Sequence, residues 1–322
     1  MTMQEQIAKF KKETGIELEI KDGKPYHKTS LYLTTKPVTM LPDNLVVDGD
    51  LDLSDTPIAS LPDNLVVNGT LFLCNTNITS LPDNLIFNGS LLLTGTHITS
   101  LPDNFIVKGN LFLDCTQITS LPNGLVVGGW LELGNAVITA LPNGLVVGGS
   151  LNLENSPITM LPDNLTVGGS LFLFGSKITS LPNDLVVGGC LDLTGTPIKK
   201  LPNNLVVGES LYASFTPIKK LPNDLVVGRD IELDGTEIMR CNCSKVNHNV
   251  PTLLSWRNGE YIKYDNIFSK VLSHENNVWK VQGIISEDIW YIVTDGNGNY
   301  ADGETIQKAN EKLNTTSSTM VC

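Results

Sequence analysis

The densest cluster of potential metal ligands is CNCSKVNH, which brings Cys241, Cys243 and His248 together. Structural zinc takes four ligands, commonly from paired CxxC motifs. Here a CxC is followed by one histidine and no second pair. A free cysteine also packs well as a small hydrophobe, so no metal is expected. DGNGNYADGE, residues 295–304, opens like a calcium loop. Loop position 6 is Tyr300 where glycine is required, and position 12 is Ile306 where a bidentate glutamate is required. A hairpin turn rich in Gly and Asn fits the stretch better. His27, His97, His248 and His274 are scattered, and no GxSxG, P-loop or HExxH is present. The sequence therefore offers no catalytic residue and no cofactor site, and a non-enzymatic protein is expected.

The remaining chemistry lies in side chains set out by a repeat of twenty residues. Leu31, Leu51, Leu71, Leu91, Leu111, Leu131, Leu151, Leu171, Leu191, Leu211 and Ile231 open its units, and the eleventh unit is cut short at Cys241. Such a period signals a solenoid or an array. Counted from the opening residue, positions 1, 3, 8, 11, 15 and 17 are apolar; in one unit they are Leu151, Leu153, Ile158, Leu161, Leu165 and Val167. Leu145, Val147, Gly149, Leu151 and Leu153 alternate as a strand with one buried face. Gly148 and Gly149 mark a bend in it, and Leu161-Pro162 closes the coil, proline suiting a corner because its φ is fixed. Twenty residues leave no room for a long helix, so the fold expected is mostly β. Eleven stacked coils would make a rod of roughly 50 Å. Thr or Ser at position 6 (Thr56, Thr76, Thr96, Thr116, Ser156 and onward) is expected to bond the backbone of the next turn.

Positions 2 and 4 should point outward. Position 2 carries Tyr32, Phe72, Leu92, Phe112, Phe172 and Tyr212, and position 4 adds Phe174. Apolar residues in consecutive coils would stack into one exposed patch, which usually marks an interaction site. Acids on the same face (Asp52, Asp114, Glu132, Glu154, Asp192, Asp234) point to a partner with basic as well as apolar surface. Positions 9 and 10 become basic in the last coils: Lys199, Lys200, Lys219, Lys220 and Arg240. Those bases could bind an anion or simply dock acids of the C-terminal segment, such as Glu287 and Asp288.

The motif LLLTGTHITSLP at residues 91–102 resembles the bacterial leucine-rich repeat of twenty residues. That family has apolar residues at 1, 3, 8 and 11, proline at 12 and usually Asn at 6. Here position 6 is Thr, and DNLVVGGS replaces the usual second LP. The resemblance covers residues 31–240. It implies a protein-binding surface without naming a partner, and related arrays occur in phage and bacterial proteins. Effectors with this repeat often carry a ubiquitin-ligase domain far longer than residues 241–322, so that activity is not expected.

Four segments follow: an N-terminal cap of helix plus strand over 1–30, a leucine-rich-repeat solenoid of parallel coils over 31–240, a small β-meander with a terminal helix over 241–313, and a disordered tail over 314–322. The meander resembles a module found at the ends of phage and bacterial repeat proteins, and it could cap the solenoid. Net charge is −12. Residues 31–240 hold twenty acids and nine bases, a surface that repels nucleic acid. No apolar run is long enough to cross a membrane and no signal peptide is visible, so a cytoplasmic protein is expected. Cys74 and Cys115 lie two coils apart, roughly 9–10 Å, too far for a disulfide.

The functional expectation is a protein-binding solenoid that occupies a host or defence protein. One alternative is a binder of a small anionic ligand at the solenoid–module junction, near Lys199, Lys219, Arg240 and Trp256. Another is self-assembly, for instance as a homodimer through an exposed strand edge or aromatic face.

Overall fold

Six apolar positions in every twenty cannot be buried by one coil, so neighbouring coils must bury each other's. A computed structural model shows this stack; it describes residues 1–238, 246–265, 267–284, 286 and 288–319. Each coil adds a two-residue strand at positions 1–2, such as Leu151–Asn152, to an eleven-stranded parallel front sheet. A second strand at positions 16–17, such as Val146–Val147, joins a back sheet. Register advances by twenty residues at each step: Leu151 lies opposite Leu171, and Val126 opposite Val146. Between the sheets the leucines, isoleucines and valines of the repeat form one continuous buried core. The expected mostly β solenoid is the fold.

The alternating run at 145–153 forms two strands in different sheets, where the sequence suggests one. The chain turns between them at Gly148 and Gly149. Coils touch through backbone there: a Cβ added to Gly169 would lie 2.7 Å from the carbonyl carbon of Gly149. Gly169 N donates to Gly149 O at 2.8 Å. No side chain fits at that approach, so the corner cannot be part of a continuous strand.

The position-6 threonines bond their own coil, contrary to expectation, while the buried Ser156 and Ser176 hydroxyls have no partner among the described residues. Thr76 Oγ1 donates to Leu73 O at 2.7 Å and Thr116 Oγ1 to Leu113 O at 2.6 Å. The turn over positions 3–6 folds the hydroxyl back onto the carbonyl three residues earlier, nearer than the next coil. Rungs between coils come instead from position 20. Asn110 N donates to Ser90 Oγ at 2.9 Å, and Ser170 N to Ser150 Oγ at 3.0 Å.

At the N-terminal end, helix Met3–Thr14 starts at a Thr2–Glu5 capping box and stops at Gly15 with φ 76°. Its Phe10 is fully buried against the first coil. A hairpin of Glu19–Lys21 and Lys24–His27 follows, and its second strand begins the back sheet.

The back sheet is interrupted once, between Ile86–Phe87 and Ile106–Val107. Phe87 stands where other coils have Val, and Phe105 where others have Leu. Their rings meet at 5.8 Å. Two oversized side chains in adjacent coils coincide with this step, although Gly109 N still donates to Gly89 O at 3.0 Å.

At the end of the stack Asn247 bridges to Val226 and Val246 packs on the core, but the meander that follows lies elsewhere. Six antiparallel strands in chain order, from Leu254–Trp256 to Tyr300–Gly303, form a meander. It lies along the back sheet. Trp256 and Tyr261 are buried there with Val146, among Val126, Val186, Val206 and Phe268. Trp256 Nε1 donates to Val186 O at 2.9 Å, and Lys263 Nζ donates to Gly168 O and Gly188 O at 3.0 and 2.9 Å. Position 18 is glycine from Gly128 to Gly228 but Asp48, Asn68, Asn88 and Lys108 in earlier coils. The module rests on those glycines. A Cβ on Gly148 would meet Ile284, and one on Gly168 would meet Phe268, at 2.3 and 2.9 Å.

The terminal helix, Ile306–Thr319, runs past residue 313, so the described part of the expected disordered tail is helical. Ala309 and Leu313 anchor it to Val293 and Ala301. Thr315 Oγ1 donates to Lys312 O, carrying a weak helix former into the next turn.

Candidate functional site

The front sheet presents positions 2 and 4 to solvent, and each strand stacks its outward residue directly on the next. Phe72, Leu92 and Phe112 are in-register neighbours, and each is half-buried by the others. The stack continues through Glu132, Asn152, Phe172, Asp192 and Tyr212. Tyr32 at the first coil is 62 % exposed, and Phe174 at position 4 is exposed as well. Seven carboxylates share these two rows: Asp52, Asp114, Glu132, Glu154, Asp192, Glu232 and Asp234. Neither row contains a lysine or an arginine.

Two further exposed aromatics were invisible to a reading of the strand rows alone. Trp130 occupies position 20, where the other coils have Ser30, Asp50, Thr70, Ser90, Asn110, Ser150, Ser170, Cys190, Ser210 and Asp230. Ser30, Asp50, Thr70, Ser90, Ser150 and Ser170 accept from the residue twenty ahead, and Trp130 N itself donates to Asn110 Oδ1 at 2.8 Å. An indole has no acceptor to offer the N–H of Ser150, so the ladder lapses for one step. Phe215 occupies position 5, which is left-handed in every coil and otherwise Thr, Asp, Asn, Gly or Cys. It holds φ 56° and is 70 % exposed. A left-handed non-glycine residue costs about 1–2 kcal/mol. The signal in both cases was a break in the repeat that no core demand explains.

Trp130, Glu132, Ser150, Asn152, Glu154 and Phe172 line a cavity of about 130 Å³ on this face. Burial raises the Glu132 carboxyl above the ordinary glutamate value, and the charges of Asp114 and Glu154 push it the same way. Asn152 Oδ1 accepts from Glu154 N at 2.8 Å, which fixes the floor of the hollow.

The basic residues lie elsewhere. Lys199, Lys200, Lys219 and Lys220 are exposed along one coil edge. Lys200 lines a shallow hollow with Ser180, Asn183 and Pro202. Lys219 pairs with Glu237 at 3.0 Å, an exposed contact within neighbouring coils. Arg240 and Glu287 fall outside the described residues, as do Cys241 and Cys243. His248 Nδ1 lies 2.8 Å from Val227 O.

The solenoid–module junction holds a cavity of about 570 Å³. Trp256 lines it, as expected, but Lys199 and Lys219 do not. The module docks on the back sheet, so the basic group delivered there is Arg257. Its guanidinium donates to Asn164 O at 3.1 Å. Asp163, Asp184, Asn183 and Asn204 supply the remaining polar wall. Two carboxylates and one committed guanidinium do not make an anion site.

Among the described residues, no His, Cys, Asp and Glu side chains converge as a metal site. Cys74, Cys115 and Cys190 are free. Asp295 accepts from Asn297 N at 2.7 Å and Asn299 Nδ2 at 2.6 Å, bonds that close the hairpin between Ile289–Thr294 and Tyr300–Gly303. No helix of the described residues is long and apolar enough to cross a membrane.

No protein-family model matches the chain. No curated protein matches it either. Solved structures similar to it include a leucine-rich repeat protein of Leptospira interrogans, at 21 % identity and TM-score 0.42, covering 64 % of this chain and 60 % of that one. YopM from Yersinia enterocolitica is similar at 17 % identity and TM-score 0.35, over 65 % and 60 %. YopM from Yersinia pestis, a leucine-rich effector protein, is similar at 15 % identity and TM-score 0.27, over 66 % and 88 %. The match thus spans about 60 % of the length of the first two.

Proposed function

We propose that this protein is a non-enzymatic binding solenoid that acts by occupying another protein through its front sheet face. One observation carries the reading. The module packs on the back sheet and leaves open a front face with exposed aromatics, seven acids and no base. Aromatics are frequent anchors at interface centres. Acids with no lysine or arginine in their rows select for a basic partner surface and raise its association rate. Trp130 and Phe215 support it further, because each departs from the repeat at a cost in local stability. Inhibition of a host or defence protein, within the cytoplasm of a bacterial or host cell, is the form we favour, and it rests on the repeat resemblance alone.

The test is affinity capture from bacterial lysate with the intact chain beside Phe174→Asp/Phe215→Asp. A protein retained by the first and lost by the second supports the front face. A partner list unchanged by the substitutions sinks it.

The junction cavity supports a second reading. Its volume of about 570 Å³ lies within the usual range for small-molecule sites, about 300–1,000 Å³. Its wall of Asn, Asp and Arg with one indole suits a neutral polar ligand better than the anion expected from sequence. A small molecule extracted from purified protein, and lost in Arg257→Ala, would favour this reading over the first.

A further inference from the structure

The front-face cavity has a shape and a charge that narrow its occupant. At about 130 Å³ it is well below the range of small-molecule sites, about 300–1,000 Å³. It has the scale of one side chain. Two of its lining residues, Trp130 and Phe172, are aromatic, and two more, Glu132 and Glu154, are acidic. Aromatic faces attract cations through their quadrupole. Among the described residues no lysine, arginine or histidine pairs with Glu132 or Glu154; the ion pairs of the molecule lie elsewhere. The carboxylates sit half-buried beside each other and beside Asp114, an arrangement that raises the Glu132 carboxyl. A cation placed between them would relieve that strain.

Trp130 makes the hollow more than an acidic patch. A serine at position 20, as in the next two coils, would complete the hydrogen-bond ladder at Ser150 and leave the hollow without its indole. The sequence gives up one rung of the stack and gains an exposed indole beside two acids.

We propose that this cavity receives a single lysine or arginine side chain of the protein partner, gripped between Trp130 and Phe172 and neutralised by Glu132 and Glu154. This deepens the front-face reading and rests on it.

The probe is a capped Gly-Ser-Arg-Ser-Gly peptide, with Lys and citrulline counterparts, titrated to about 10 mM into the full chain. The readout is the four tryptophan indole N–H resonances, Trp130 being assigned by Trp130→Phe. The Trp130 resonance should shift saturably with the Arg or Lys peptide and stay still with citrulline. The larger shift identifies the head group. Glu132→Gln/Glu154→Gln should weaken binding about tenfold, the other three indoles reporting that the fold is intact. An equal response to citrulline, no response to any peptide, or affinity unchanged by the double substitution overturns the proposal. A captured partner that survives the glutamine substitutions but is lost with Phe174→Asp/Phe215→Asp also overturns it, while leaving the front-face reading in place.

Discussion

The indole N–H of Trp256 donates to the carbonyl of Val186 at 2.9 Å, seventy residues apart in sequence. That bond pins the C-terminal module to the flank of the solenoid. Trp256 is also buried edge-on against Phe268, at 5.1 Å. Trp256→Phe should keep most of the packing but leave the Val186 carbonyl unpaired, costing about 1–3 kcal/mol. Trp256→Ala should cost about 3–5 kcal/mol. Hydrogen exchange across residues 254–303 should rise in the same order. Equal protection in all three proteins would show that the module holds by other contacts.

Thr166 lies under the module with its hydroxyl fully buried and unpartnered. The other coils have Val or Ile at this position. Thr166→Val replaces the unpaired hydroxyl by a methyl of similar shape. It should stabilise the protein by about 1 kcal/mol, read as a higher midpoint in urea.

Phe215 is held left-handed in a turn where asparagine serves elsewhere in the stack. Phe215→Asn should raise stability by about 1 kcal/mol, since asparagine tolerates this region better. The same substitution should weaken capture of a front-face partner. A stabilised variant with unchanged capture would remove Phe215 from the binding surface.

Glu132 has a carboxyl raised above its ordinary value of 4.5 by burial, then by the Asp114 charge. The folded state therefore holds its proton to higher pH than the unfolded chain does. Stability is lost as pH rises from the ordinary value through the raised one, and the penalty is complete above it. Glu132→Gln does not ionise. It should be more stable than the parent at pH 7, and the advantage should vanish below about pH 4.5. Melting temperatures measured for both proteins across that range check the sign.

The outward rows of Phe72, Leu92, Phe112, Phe172 and Tyr212 were legible because a strand's period of two assigns faces without any tertiary knowledge. Trp130 and Phe215 were harder to find. They sit in a corner and a turn, where no periodicity assigns direction, and only their departure from the column of equivalent residues marks them. The junction site was misplaced for a related reason. The lysines of the last coils lie close in sequence to the module, but the module folds back along the stack and meets Asn164 and Val186 instead.

The twenty-residue pattern by itself determined the coil, the core and the register. Each coil packs mainly on its two neighbours, so the information needed is local and is written again in every unit. Even the two sheets follow from it once Gly148 and Gly149 are seen as a corner. Tertiary structure alone decided which face the C-terminal module covers, and therefore which face stays open. That choice depends on how Phe268, Lys263 and Ile284 fit a strip of glycines more than a hundred residues away at its farthest, with Trp256 bonded to Val186 beside it. The strip from Gly128 to Gly228 is visible in the sequence. Its meaning appears only when Phe268, Lys263 and Ile284 are seen resting on it.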